Sequence, residues 1–300
     1  SNGISQIIYY SKGVGTGHAW DKMSGGIRGN GLNENIVSAY RFIVDNYSAG
    51  DEILIFGFSR GAYTARSLTG FIDYIGLLPK SNTYFTPHAY QLYRDKVQNV
   101  SSFRKGNNTR DVKIKFIGVF DTVGAMGIPL KIFSNHNTKK YSFHNTKLGS
   151  NIENAYHALA IDERRKPFKP TLWDDEIEPG QKMEQRWFVG VHTNIGGGYE
   201  KDGLANIALH WILFNAIKVG LEINYDYINH YKPYYGHKLY DSMSFVYRLK
   251  GKNIRNIKNA ENQTLDKSVI SRMDHDESYR PVNVSESFQY SESLRIKKED

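Results

Sequence analysis

Apolar residues in this chain fall into short unbroken runs closed by turn formers, and into stretches where they recur every three or four positions. The runs "EILIFGF" (52–58), "KIKFIGVFD" (113–121) and "EQRWFVGVH" (184–192) have the length and continuity of strands buried on both faces of a parallel sheet. "SQIIYY" (5–10) reads as one more strand, leading into the glycine-rich loop "SKGVGTG" (11–17). Helical spacing links Ile36, Tyr40, Ile43, Val44 and Tyr47, with Asn33 as the expected cap and "SAGD" as the stop. A second helix is predicted from Arg60 to Ile75, its apolar face built from Ala62, Leu68, Phe71 and Ile75. "IENAYHALAIDE" (152–163) reads as a third, and Asp202 is placed to cap a fourth that carries Leu204, Ile207, Ala208, Trp211 and Ile212. Residues 79–110 look polar and irregular, like an inserted lobe, and a loop rich in Asn, Lys and His spans 131–151. The last eighty residues are rich in Tyr and Lys and have weak periodicity. Strands alternating with helices argue for an α/β fold around a mostly parallel sheet.

Composition narrows the picture. Three hundred residues with 40% hydrophobic content suffice for one sizeable core. The expected organisation is a single domain over 4–285, with 79–110 and 221–285 as candidate lids or accessory lobes and 286–300 as a polar tail. With no cysteine, disulfides and thiolate metal sites are excluded. The net charge of +8 favours anionic partners such as nucleic acid or a phospholipid surface, with general solubility as the plainer account until a basic face is located. The basic excess between Arg248 and Arg272 lacks the ordered aromatics of single-strand nucleic-acid surfaces, so a solvated face is expected there and no nucleic acid. The most apolar helical stretch, "IALHWILFNAI" (207–217), is too short to span a bilayer, and no signal peptide opens the chain. The initial "SNG" resembles the remnant of a cleaved tag, so the chain is expected to begin within a longer natural protein.

Ligands of open parallel sheets gather at the carboxyl ends of the strands. Three runs end in, or run directly into, Ser59, Asp121 and His192, the chain order of a hydrolase triad. A serine hydroxyl needs a base, an imidazole serves once its tautomer is fixed, and a carboxylate fixes it. Gly57 and Gly61 bracket Ser59 in "GFSRGAYTA", where side chains are expected to collide with backbone, and the Arg60 amide is aimed toward a developing oxyanion. Taken singly, each member has a plainer reading: a turn serine, a turn aspartate before "TVG", a hydrogen-bonded loop histidine. Their coincidence at strand ends favours chemistry. "GVGTG" has neither dinucleotide nor P-loop spacing. His136, His144, His157, His210, His230 and His237 show no metal-ligand spacing, so neither metal nor cofactor is expected. His210 reads as a core histidine, and Asp162, Glu163, Arg164 and Arg165 as a solvated helix end.

The segments "YYSKGVGTG", "GDEILIFGFSRGAYTARSLTGFI", "IGVFDTVGAMG", "WFVGVHTNIGGGY", "DGLANIALHWIL" and "YRPVN" occur in an order that resembles the domain of unknown function 2235 family, over roughly residues 5–285. That family includes the class-one lipase effectors of type VI secretion. The resemblance implies an α/β-hydrolase-like three-layer fold, with Ser59 as nucleophile, Asp121 as acid and His192 as base. It also implies a phospholipase A acting on glycerophospholipid esters, and a bacterial effector, cytoplasmic or secreted, with secretion or immunity proteins as partners. Two departures stand out. Family members begin with a strand reading Phe-Phe-Asp-Gly-Thr, which nothing here matches, and the loop after that strand supplies a second oxyanion donor. Asn194 stands where aspartate is usual, in reach of the imidazole or a lid loop. These departures keep two alternatives in view: a hydrolase-fold scaffolding domain with a vestigial triad, and a cytosolic non-lipid esterase.

Overall fold

The computed structural model describes residues 5–13, 28–124, 146–249, 251–258, 260–284 and 290–291. Among the described residues six strands, β1 (Leu54–Phe58), β2 (Phe116–Phe120), β3 (Asn154–Ala160), β4 (Lys182–Phe188), β5 (Gln263–Asp266) and β6 (Tyr290–Ser291), pair side by side in chain order. Every pairing is parallel. The helices are α1 (Arg28–Asn46), α2 (Arg60–Ile75), α3 (Thr86–Arg94), α4 (Ser101–Gly106), α5 (His192–Gly196), α6 (Gly203–Ile217), α7 (Tyr225–Ile228), α8 (Phe245–Leu249) and α9 (Ser268–His275).

Successive strand residues point to opposite faces, so each run feeds two cores. On one face Ile117 and Val119 meet Ile36 and Tyr40 of α1, Phe71 and Ile72 of α2, Tyr90 of α3 and Leu77 from the loop after α2. On the other, Phe116 and Phe188 meet Trp211 and Ile212 of α6. Burying each such side chain contributes about 1.5–3 kcal/mol. These two layers bracket the sheet, giving the three-layer α/β architecture that the alternating pattern predicts.

Several elements differ from expectation. Residues 152–163 contain β3, because pairing on both sides with β2 and β4 overrides the helix propensity of Ala-Leu-Ala. Residues 5–10 form no strand; Ile8 is 84% exposed. A strand needs a neighbouring ladder, and this segment is held instead by Gln6, which bonds both backbone groups of Glu222. The stretch 79–110 is largely helical, and Tyr90, Phe85, Tyr93 and Phe103 join the first core, an apolar content hidden among polar neighbours. Asn33 lies inside α1 and accepts a hydrogen bond from Tyr90 Oη at 2.8 Å. Asp202 precedes α6 but its side chain caps nothing. Within 221–285, β5 belongs to the central sheet. Residues 14–17 of the glycine-rich loop, 131–145 with His136 and His144, and most of the 286–300 tail lie outside the described residues. Among the described residues no helix is long and apolar enough to cross a membrane.

Candidate active site

Register brings the first two site residues together. Phe58 pairs with Phe120, so Ser59 and Asp121 each stand one residue beyond the ends of adjacent strands. The ladder continues past them: Ser59 N donates to Phe120 O at 2.9 Å and Asp121 N to Ala158 O at 2.7 Å. Both residues have positive φ, 60° at Ser59 and 43° at Asp121. For an L-residue such geometry costs on the order of 1–3 kcal/mol and persists only where the surroundings impose it. At Ser59 the imposing contact is Gly57: a Cβ there would lie 2.5 Å from the Gly61 carbonyl oxygen. The first turn of α2 therefore packs directly on β1, and the chain must bend sharply between them. Gly61 differs from expectation, since a Cβ there would meet no described atom within 4 Å. The crowding is at Gly57, against the backbone that Gly61 contributes. Arg60 opens α2, so its amide belongs to the helix N-terminus, where the backbone field favours negative charge.

His192 comes from α5, four residues after β4 ends, so it opens a helical turn instead of closing a strand. Asn194 holds that turn: its Oδ1 accepts from Val191 N at 3.3 Å and its own amide donates to Val191 O at 2.8 Å. Asn194 thus acts on the backbone before His192 and makes no hydrogen bond to the imidazole. Phe58 and Phe168 flank the imidazole, with ring centroids 4.6 and 4.9 Å from its own. Gly196 permits the Phe58 contact, because a Cβ would lie 2.2 Å from that ring.

The three side chains form one buried line. His192 Nε2 lies 2.8 Å from Ser59 Oγ, and His192 Nδ1 lies 2.6 Å from Asp121 Oδ2. An ionised carboxylate only accepts, so this network assigns the proton to Nδ1 and leaves Nε2 to accept from the serine hydroxyl. Burial pushes the Asp121 carboxyl up, but the charge of Arg255 and hydrogen bonds from His192 and Arg255 outweigh it and hold it well below the usual carboxylate range.

Several supporting residues were not among the predicted ones. Arg255, only 2% exposed, reaches both Asp121 oxygens: Nη2 donates to Oδ2 at 2.9 Å and Nη1 to Oδ1. The same nitrogens donate to Ala160 O at 2.8 Å and Phe168 O at 2.7 Å. Its sequence setting, "NIRNIK", gives no hint beyond flanking isoleucines. His157 in β3 accepts from Thr122 N at 3.1 Å, and burial, then the Arg66 charge, push its imidazole down to about 3. It is a neutral acceptor for the amide that follows Asp121.

Asp162 and Glu163 are buried, contrary to their reading as a solvated helix end. Asp162 Oδ2 accepts from Gly190 N and Tyr279 Oη, at 2.8 and 3.0 Å. Glu163 Oε2 accepts from His192 N at 3.2 Å and its carboxylate pairs with Arg165. Burial raises the Glu163 carboxyl, yet Arg165 outweighs it and the net direction is down. A carboxylate directly after the apolar "ALAI" was a usable signal, the same one that marked Asp121. His210 is a buried histidine of α6 whose Nε2 bonds Tyr231 O at 2.7 Å. Among the described residues no three His, Asp or Glu side chains are grouped to hold a metal ion.

Beside the site, α8 exposes Phe245 (76%) and Leu249 (74%), four residues apart and hence on one face. Tyr247 of the same turn packs 6.0 Å from Phe168. Arg164, Arg248 and Lys252, with Asp241 and Met243, line a neighbouring recess of about 340 Å³.

Comparison with known proteins groups the chain with a described family. Residues 1–215 match the family described as type VI secretion phospholipase effector Tle1-like, catalytic domain. An uncharacterized protein of Saccharomyces cerevisiae, YEL023C, is 35% identical over 151 residues, covering 46% of this chain and 21% of that protein. Two solved structures are similar. An uncharacterized Pseudomonas aeruginosa protein has 18% identity and a TM-score of 0.34, covering 69% of this chain and 30% of that one. The Tle1 effector bound to the VgrG spike has 22% identity and a TM-score of 0.31, covering 57% and 30%. The chain spans less than a third of the length of each of these relatives.

Proposed function

Because the chain belongs to the family of type VI secretion phospholipase effector Tle1-like catalytic domains, we propose that it is a serine ester hydrolase of phospholipase A type, acting through Ser59, His192 and Asp121. The observation that carries this reading is the buried hydrogen-bonded line from Ser59 Oγ through His192 to Asp121, set at a strained strand-to-helix bend. In the acylation step Ser59 Oγ bonds the ester carbonyl carbon while its proton passes to His192 Nε2. Negative charge develops on the carbonyl oxygen, and the Arg60 amide at the start of α2 is the proposed donor to it. Collapse breaks the ester C–O bond, and His192 returns the proton to the departing lysophospholipid alkoxide. Water then attacks the acyl-serine, with His192 taking its proton, and releases fatty acid and free Ser59. Asp121 holds the imidazole in the tautomer that accepts from serine and stabilises the imidazolium between steps.

The lipid assignment is supported by the family and by the face around α8. Exposed Phe245 and Leu249 beside Arg164, Arg248 and Lys252 combine apolar and basic groups, as docking to an anionic phospholipid surface requires. The family's description also supports delivery through a type VI secretion apparatus as part of the same reading. A second reading is a cytosolic esterase of soluble, non-lipid substrates, which the same buried Ser59–His192–Asp121 line would serve equally.

The test compares parent and Ser59→Ala chains on phospholipid vesicles and on a soluble short-chain ester. Hydrolysis of vesicle lipid that falls by about four orders of magnitude in the variant, with folding intact, is the expected result. Parent-level hydrolysis by Ser59→Ala overturns the assignment of Ser59 as nucleophile, whereas an inactive parent whose Ser59 no fluorophosphonate labels overturns the reading in favour of a scaffolding role. Activity on the soluble ester alone selects the second reading.

A further inference from the structure

We propose that Arg255 is the positioning residue of the site, locking the Asp121 carboxylate in the plane in which Oδ2 faces His192, so that the working catalytic unit extends past the family-matched residues 1–215. This rests on the Ser59–His192–Asp121 reading and names what that reading leaves unassigned.

The geometry is specific to a guanidinium. Its two terminal nitrogens take the two oxygens of one carboxylate, a planar fork that fixes both position and rotation. The same two terminal nitrogens also hold Ala160 O, at the end of β3, and Phe168 O, from the residue whose ring flanks His192. One side chain therefore ties the carboxylate, the strand beneath it and the aromatic wall of the imidazole into a single unit. Arg255 is itself held: Asn283 Nδ2 donates to Arg255 O at 3.2 Å and to Ile161 O at 3.1 Å.

Charge requires the same partner. Asp121 is fully buried, and a buried carboxylate without a cation tends to bind a proton. The charged or titratable groups facing it are His192 from α5, His157 from β3, Arg255 from the segment after α8, and, further out, Glu163 and Arg66. His157 is neutral, Glu163 is paired with Arg165, and Arg66 is directed at the carbonyls of Thr171 and Leu172. Arg255 is the cation in contact with Asp121. Without it, burial dominates, the Asp121 carboxyl rises, and a protonated Asp121 no longer orients the imidazole.

The test uses the full chain with Arg255→Gln and Arg255→Lys, and Ser59→Ala as the control for the underlying reading. Circular dichroism checks folding, and kcat and KM for a soluble ester are measured across pH. For Arg255→Gln the expected result is a loss in kcat on the order of 100-fold, with KM little changed, since misplacement of the machinery affects the chemical step. Its acidic limb should also move to higher pH, because Asp121 must now be deprotonated within the working range. Arg255→Lys keeps the charge but not the fork: its acidic limb should stay in place while kcat falls roughly tenfold. Parent-like kcat and pH limb in a folded Arg255→Gln overturn the proposal. If that variant does not fold, parent-like kcat in Arg255→Lys overturns it. Parent-level activity in Ser59→Ala would instead bring down the triad reading, a distinguishable failure.

Discussion

The bend that presents Ser59 and the segments that enclose His192 and Asp121 are built in opposite ways. At the bend the structure follows from nearest neighbours: an apolar strand, a glycine, a serine with φ of 60°, and a helix that starts at the next residue. Around the imidazole and carboxylate the partners come from far along the chain. Arg255 is 134 residues from Asp121, and Tyr279 is 117 from Asp162. Local steric rules write the first region into a short motif; the second is assembled only when the segments before β5 and after α9 pack on the strand ends. The nucleophile is therefore presented by backbone geometry, and its partners are positioned by buried polar groups satisfying one another.

The largest effect should come from breaking the bend. Gly57→Ala places a Cβ within 2.5 to 2.8 Å of three backbone atoms of α2, none of which is free to swing away. The expected cost is about 3 kcal/mol or more, read as a fall in the urea midpoint and in activity together. Gly61→Ala, whose Cβ meets no described atom, should be neutral or stabilise by up to about 1 kcal/mol through helix propensity. Equal destabilisation by the two changes would contradict the asymmetry described for this bend.

Next is the outer face of the second region. Phe245→Ser combined with Leu249→Ser removes two exposed side chains whose packing supports nothing inside the protein. Binding to anionic phospholipid vesicles should weaken on the order of tenfold or more, with soluble-ester kcat and thermal midpoint unchanged. If vesicle binding is unaffected, α8 is not the docking face.

The contrast also explains what the sequence made legible. The β2 run is readable because burial on both faces leaves an unbroken apolar pattern; β1 carries the same pattern although it is only half-buried at the edge of the described sheet, with Phe56 exposed. Ser59, Asp121 and His192 stood out because each follows such a run. β3 was read as a helix because Ala-Leu-Ala-Ile carries no period that separates a buried strand from a helix, and only pairing with β2 and β4 decides between them. Asp162, Glu163, Arg255 and Arg272 looked like surface charge, since a buried ion pair and a solvated one have the same composition. Burial is a property of the assembled partners, and for Arg255 and Asp121 the partners lie too far apart in sequence for any local pattern to connect them.

A smaller effect tests one strut of that assembly. Tyr279→Phe keeps the ring and removes the hydroxyl that donates to Asp162 Oδ2, while the Gly190 amide still does so. Losing one of two donors to a buried carboxyl should cost about 1 kcal/mol in urea unfolding. It should also raise the Asp162 carboxyl further above the ordinary range, where burial already holds it. No change in stability would make the hydrogen bond from the Tyr279 hydroxyl incidental, and would leave the closing "YRPVN" segment anchored by Asn283, Arg280 and the buried Tyr279 ring.

The smallest effect concerns a slope. Glu163 is buried, and its pairing with Arg165 holds its carboxyl below the ordinary value despite that burial. A carboxyl depressed on folding contributes stability that is fully present above its unfolded value of about 4.3 and is lost as pH falls through the folded one. Glu163→Gln removes this contribution at neutral pH and has nothing left to lose in acid. The variant should therefore be less stable than the parent at pH 7, and the two should converge as pH drops below about 4. Because Glu163 Oε2 also accepts from the His192 amide, activity should fall alongside stability at neutral pH. Urea unfolding of both proteins at pH 7 and pH 3.5 measures the convergence. Parallel curves would mean that the Arg165 pair carries no net stability, and that His192 is held by Asn194 and the flanking aromatic rings.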